Sequence, residues 1–373
     1  MRQHRLMTPA FCLLLACALL LTACGGNSGD SEGNGKDPAP EDVPLPVLKV
    51  GLLGTSIKPA GVLTAEALGY FAEEGVEVEF EKVSSMNDAY IALSTGDLDV
   101  YLFSSTAAAS FISQGTTTLR VFGGTASEGS EIMAAAGTPE IRGEEDLVGK
   151  TVACQMPETG QMVLKNYLLE QGYTIGAPGE GADVAFVYVN DANTAVEGCV
   201  NGEYDYCITN SCLGYYAEQL GAALVGSVRQ FVETYPCCRQ TCSLAAYEEK
   251  REALTAFETA ALRGYRYNLE HPEETLDLLE AYAGEERDFL RAQVYGTEAY
   301  TPVMRLSLDP DRRACIAFYE AMASLGEIPD AVEVNWEDYV VTDIYDAALG
   351  ALEEREPEIS LWQELRTYFE THN

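Results

Sequence analysis

The chain is poor in positive charge, in histidine and in long apolar runs, and each scarcity excludes something. Lys and Arg together number 23 against 59 Asp and Glu, for a net charge of −36. Nucleic acid is excluded as a partner, because binding it needs clustered basic charge. A solvated acidic surface that keeps an exported protein soluble accounts for the imbalance. Of the 3 histidines, His271 precedes a proline and His372 is next to last, so histidine-based catalysis and zinc binding lack support. No HExxH, GxSxG or Walker loop occurs, and no catalytic residue, metal or cofactor is expected. The apolar run from Ala10 to Leu21, 12 residues, is too short to span a bilayer.

That run does suit the core of a signal peptide, preceded as it is by Arg2, His4 and Arg5. It ends in Leu21-Thr22-Ala23-Cys24-Gly25, which resembles the lipobox of bacterial lipoproteins. The resemblance implies a signal peptide at 1–23 and a lipid on Cys24, with the protein on the extracytoplasmic face of a cell membrane. The lipidated cysteine and a flexible linker then occupy 24–46. Residues 25–46 hold five Gly, four Pro and no aromatic residue, a composition that cannot bury enough apolar surface to fold. Such a tether reaches roughly 25 Å. The body, Val47 to Asn373, is longer than one core usually accommodates, so two lobes are expected. Eight of the 11 cysteines lie in it, and a chain this long needs no disulfide framework.

Short β-rich runs alternate with helical ones: a strand at Val47 to Leu53, a helix at Pro59 to Glu74, a strand at Val76 to Lys82. The alternation indicates an α/β fold with largely parallel sheet. An ungapped repeat supports it. Asn87 to Thr106 and Asn193 to Cys212 match at an offset of 106 residues, with Asn87, Ala89, Gly96, Asp99 and Ser105 recurring as Asn193, Ala195, Gly202, Asp205 and Ser211. Each copy reads as helix, glycine stop, acidic turn, buried strand, polar loop, helix. The polar loops Ser104-Ser105-Thr106 and Asn210-Ser211-Cys212 then sit where a strand ends and a helix begins. Ligands of open α/β sheets bind there, beside free backbone N–H groups. A purely capping role is the alternative for either loop taken singly.

The motifs "LGYFAEEGVEVEF" (68–80), "ALSTGDLDV" (92–100), "EEDLVGKTVAC" (144–154) and "YNLEHPEETLDLL" (267–279) occur in an order and spacing with a known counterpart. In them the chain resembles the substrate-binding lipoproteins of ABC importers for aliphatic sulfonates, taurine, nitrate or thiamine pyrimidine precursors. The resemblance implies a two-lobed type II periplasmic-binding-protein fold: two mostly parallel sheets flanked by helices and joined by a double crossover. Lobe 1 would be 47–138 plus 237–373, and lobe 2 would be 139–236. The expected role is that of a monomer, not an enzyme, which captures a small polar or anionic solute and passes it to a permease with its cytoplasmic ATPase. Two more segments fit a cleft: Thr55 and Ser56 after the first strand, and Glu158, Thr159, Gly160 and Gln161 after the strand Thr151 to Cys154. Thr159 suits an N-cap, which is compatible with ligand contact. Relatives that make the thiamine pyrimidine carry a cysteine cluster, a histidine before the first helix and a nearby lysine. Here the cluster is Cys-Cys-x-x-x-Cys, Pro59 stands where the histidine belongs, and Lys58 reads as an ordinary loop lysine. A surface lipoprotein without a transport role would leave the paired loops unexplained.

The segment Pro236 to Cys242, "PCCRQTC", falls at the second crossover in that scheme. A disulfide between adjacent cysteines is unfavourable, since their Cα atoms sit about 3.8 Å apart against the roughly 4.4–6.8 Å a disulfide prefers. In an extended segment Cys238 and Cys242 share a face, too far apart for a common metal, and Cys237 and Arg239 share the other. Cys237 or Cys238 is expected to line the ligand pocket, with Arg239 donating to a polar or anionic group. Buried cysteines acting as small hydrophobes are the competing reading.

Overall fold

The computed structural model describes residues 44–156, 158–210, 212–328 and 333–373. The expected lipid site Cys24 and the candidate Ser211 lie outside the described residues. No described helix is long and apolar enough to cross a membrane.

Residues 45–373 form one unit built on two six-stranded sheets. In chain order the strands are β1 (Val47–Leu53), β2 (Glu77–Val83), β3 (Val100–Tyr101), β4 (Leu119–Glu128), β5 (Glu131–Ala135) and β6 (Lys150–Gln155). They continue as β7 (Ile175–Gly176), β8 (Val184–Val189), β9 (Tyr206–Thr209), β10 (Ala222–Ser227), β11 (Pro236–Ser243) and β12 (Met304–Leu306). The first sheet is ordered β12-β4-β11-β3-β1-β2 and the second β10-β5-β9-β6-β8-β7. Each is parallel in its βαβ part, where β1 pairs with β2 and β3, and β6 with β8 and β9. The strands that pass between the sheets add antiparallel pairs.

The repeat is one structural device used twice. In the first sheet the Asp99 carboxylate accepts from the Lys49 N–H of the neighbouring strand at 2.8 Å, and in the second Asp205 accepts from Thr151 N–H at 2.9 Å. Gly96 and Gly202 both adopt positive φ, as helix-ending residues do. The copies then diverge. After β3 comes the helix Ser105–Ser113, but after β9 only the 3-10 turn Leu213–Tyr216. The expected second helix is not made there, because the Gly214 N–H is bound by the buried Glu131 carboxylate at 2.8 Å.

Two other expectations shift for local reasons. The helix expected over Pro59 to Glu74 breaks at Gly69, whose left-handed φ of 76° separates Ala60–Ala67 from Tyr70–Glu73. The first crossover comes at 129–130, not after Thr138. Glu128 and Gly129 both take positive φ and turn the chain, and Glu131–Ala135 is already a buried strand of the second sheet. The return passes between Ser227 and Pro236. Outside the sheets, the helices Ala60–Ala67 and Arg251–Glu270 cross closely. A Cβ on Gly264 would lie 2.1 Å from the Gly61 carbonyl oxygen, so only glycine permits the approach.

Candidate functional site

Strand β11 is extended and buried at the crossover, as expected of "PCCRQTC". Its alternation is not regular, however. Register shifts against β4 fall between Pro236 and Cys238 and again between Cys238 and Arg239. Cys237 and Cys238 therefore do not point to opposite faces, and their sulfurs lie 3.8 Å apart as free thiols. The Lys58 ammonium, at the start of the first helix, approaches Cys237 Sγ to 3.6 Å. Cys238 is lowered to about 6 by the hydrogen bond from Cys237, helped by the Lys58 charge, the Ser104 backbone N–H and the Arg239 charge, against the cost of burial. Cys237 is correspondingly pushed up as the proton-holding partner. The negative charge on this pair holds Lys58 protonated. Far from an ordinary loop lysine, half-buried Lys58 places its ammonium against the paired cysteines.

The second sheet supplies the facing wall. The helix Thr159–Glu170 is capped by Glu158 and not by Thr159, which is its first residue. The Glu158 carboxylate accepts from the Gln161 N–H at 2.7 Å and from the Ser130 hydroxyl at 2.7 Å, which ties the helix to the crossover. Burial raises Glu158 above the ordinary carboxylate range. Gly160 permits this fit, since a Cβ there would lie 2.2 Å from Ser130 Cβ. Burial also raises Glu131, which accepts from the Tyr300 hydroxyl at 2.6 Å. Cys212 is pushed up to about 12 by burial. On this wall the fully buried Gln161 side-chain amide has no partner among the described residues, and in the first sheet neither has the Tyr101 hydroxyl.

The expected residues separate into those brought together and those turned away. Ser104, in left-handed conformation, caps its helix by accepting from Ala107 N–H, and it meets the Thr106 hydroxyl at 3.1 Å. Both line a cavity of about 340 Å³ between the sheets, whose far wall includes Met156 and Met162. Thr55 and Ser56 line a separate cavity with Lys58, on the Met304 side. Asn210 follows β9, half-buried. Ser105 does not face the cleft: it is fully buried and bonded to the Tyr319 hydroxyl at 2.9 Å. Arg239 is not available to a ligand either. Its donors are spent on Asp311 and Ser127, both at 2.9 Å, on the Ala126 and Cys238 carbonyls, both at 3.0 Å, and on Cys315 Sγ at 3.3 Å. It is fully buried, a structural ion pair in the first half. Sequence reasoning missed Ser130, Glu131, Tyr101 and Tyr300. An acid opening the apolar run Glu131–Ala135 was the one readable signal.

Two sheets exchanging strands through two crossovers, with helix starts meeting between them, define the periplasmic-binding-protein fold. The chain belongs to the NMT1/THI5 like family, whose model matches residues 56–275, more than half of it. Among solved structures it is similar to the periplasmic aliphatic sulphonate binding protein of Escherichia coli, with 14% identity, a TM-score of 0.59, and coverage of 79% of this chain and 92% of that one. It is also similar to the periplasmic nitrate-binding protein of Synechocystis PCC 6803, with 16% identity, a TM-score of 0.60, and coverage of 83% and 89%. A third similar structure is named a desulfurization enzyme, with 16% identity, a TM-score of 0.53, and coverage of 82% and 99%. No curated protein sequence matches the chain.

Proposed function

We propose that the protein is the solute-binding component of an ABC importer, anchored by a lipid on Cys24 to the extracytoplasmic face of the membrane. It captures a small organic solute between its two halves and delivers it to a permease driven by a cytoplasmic ATPase. The observation that carries this reading is a cavity with walls from both sheets' segments, Ser104 and Thr106 from the first and Met156 and Met162 from the second, with the Glu158 carboxyl of the second close enough to Cys237 of the first to feel its charge. Two lobes that close on a ligand need no catalytic residue. The test is native mass spectrometry of the purified chain, followed by melting in the presence of the released molecule. A co-purifying solute that raises Tm supports the reading, because binding to the native state stabilises it. No bound solute, and no shift with sulfonates, taurine, nitrate or pyrimidines, would sink it.

One observation favours a second reading, an enzyme like those that make the thiamine pyrimidine. The lysine and the adjacent cysteines are in contact, with Lys58 3.6 Å from Cys237. The expected histidine is absent: His271 stacks on Tyr267 and His372 on Tyr368, at the ends of helices. Release of a pyrimidine by the purified protein decides for the enzyme.

A further inference from the structure

The cavity between the sheets is walled by methionine. Met86, Met156, Met162 and Met322 line it together with Phe111, so half of the chain's 8 methionines meet in one space of about 340 Å³. They come from three separate stretches of chain, around Met86, Met156 to Met162, and Met322, and from both sheets' flanking segments, which no local pattern would gather. Glu327 is the one ionisable group among the lining residues, and it is already engaged by the Lys165 ammonium at 3.3 Å and the Tyr188 hydroxyl at 3.2 Å. The remaining polar lining, such as Asn87, Ser104 and Thr106, is uncharged.

The places where an anion would sit are filled by the protein itself. The N-terminus of the helix Thr159–Glu170 offers its N–H groups to the Glu158 carboxylate. At the helix Ser105–Ser113 the Ala107 N–H is taken by Ser104 Oγ, and the Ser104 N–H is directed at the Cys238 sulfur. The Lys58 ammonium is balanced by the cysteine pair. Glu158, at the start of the helix that carries Met162, adds a buried carboxyl group on that side. An anion entering this cleft finds no uncompensated positive charge, and desolvating one without a partner is strongly unfavourable. Unbranched thioether side chains, in contrast, adapt to irregular apolar shapes and make favourable contacts with aromatic rings.

We infer that the solute is uncharged and largely apolar or aromatic, held by the methionine walls and oriented by a few hydrogen bonds at Ser104 and Thr106. This rests on the solute-binding reading and departs from the sulphonate and nitrate for which the two binding-protein neighbours are named. The test compares two fluorescent probes that differ by one sulfonate group, 1-anilinonaphthalene and 1-anilinonaphthalene-8-sulfonate, titrated into the full chain. The uncharged probe is expected to bind saturably and about tenfold or more tighter, roughly 1.4 kcal/mol. Met162→Lys, which places a cation in the buried wall, is expected to reverse the order. Met156 is half exposed at the same wall, so Met156→Lys serves if the first variant does not fold. Tighter binding of the sulfonate by the native protein overturns the inference, as does a preference that neither lysine variant changes or no saturable binding of the uncharged probe. These outcomes leave the solute-binding reading intact whenever native mass spectrometry still finds a co-purified solute. A sulfonate or nitrate found there overturns the ligand class alone.

Discussion

The sulfurs of Cys237 and Cys238 lie 3.8 Å apart with the Lys58 ammonium 3.6 Å from Cys237, and the arrangement has a direct spectroscopic consequence. Thiolate absorbance attributable to Cys238 is expected to persist on acidification until near pH 6, where the group titrates. In Lys58→Met the midpoint should move up toward the ordinary thiol value, because an opposing charge favours the thiolate. A midpoint unmoved by that change would mean that Lys58 does not set the thiolate. A second buried group gives a prediction of opposite sign. Burial pushes Glu258 up to about 8 from 4.5, and its carboxylate accepts from the Gln240 amide at 2.8 Å. Between those values the folded chain holds a proton that the unfolded chain has lost, so this group lowers stability as pH rises through the window. Glu258→Gln is expected to melt above the native protein near pH 8, by an amount that shrinks toward pH 4.5. Melting curves recorded across that range check it, and a constant difference would contradict it.

At the scale of elements, β11 does two separate things. Its first residues bring two sulfurs together beside Lys58, and Arg239 locks β4 to the segment before the helix Arg312–Ser324 through Asp311. Breaking a buried ion pair leaves an uncompensated charge and costs about 3–5 kcal/mol. Arg239→Met should therefore lower the urea midpoint strongly, while any protein that folds keeps its affinity for the solute. Loss of affinity at undiminished stability would return Arg239 to the binding site. The helix Ser105–Ser113 divides its first turn in the same way. Ser104 and Thr106 face the cavity, whereas Ser105 is held against Tyr319. Ser105→Leu overpacks that contact and is expected to cost about 1–3 kcal/mol, with binding affected only through folding. Equilibrium unfolding together with calorimetry separates the two.

For the molecule as a whole, the two halves meet through apolar contacts, such as Tyr215 and Tyr216 against Phe289, and through polar ones. The Tyr300 hydroxyl reaches Glu131, and Lys165 and Tyr188 reach Glu327. The proposed lipid anchor has a direct test. Cys24→Ser is expected to release the protein from the membrane fraction, and fractionation of cells carrying the variant measures it. Membrane association that persists and still requires detergent would exclude the lipid anchor.

The sequence by itself determined the alternation of strands and helices, the repeat with its paired aspartates, and the position of "PCCRQTC" on a buried strand at a crossover. Each rests on local information: hydrophobic period, glycine at a helix end, and composition. The same locality explains why β1 was legible to the residue, while the first crossover was displaced. The glycine and proline after Ala135 look like a boundary, but pairing with β9 and β10 decides where Glu131–Ala135 belongs. Only the tertiary structure decided which side chains reach the cleft. Register shifts against β4 bring the two adjacent sulfurs together, and Asp311, 72 residues further on, takes Arg239 out of the site. Lys58 meets Cys237 across 179 residues of chain, and the cavity gathers Met86 and Met322 with the neighbouring Met156 and Met162 from remote stretches. Contacts at such separations depend on how elements pack, and no periodicity along the chain encodes them.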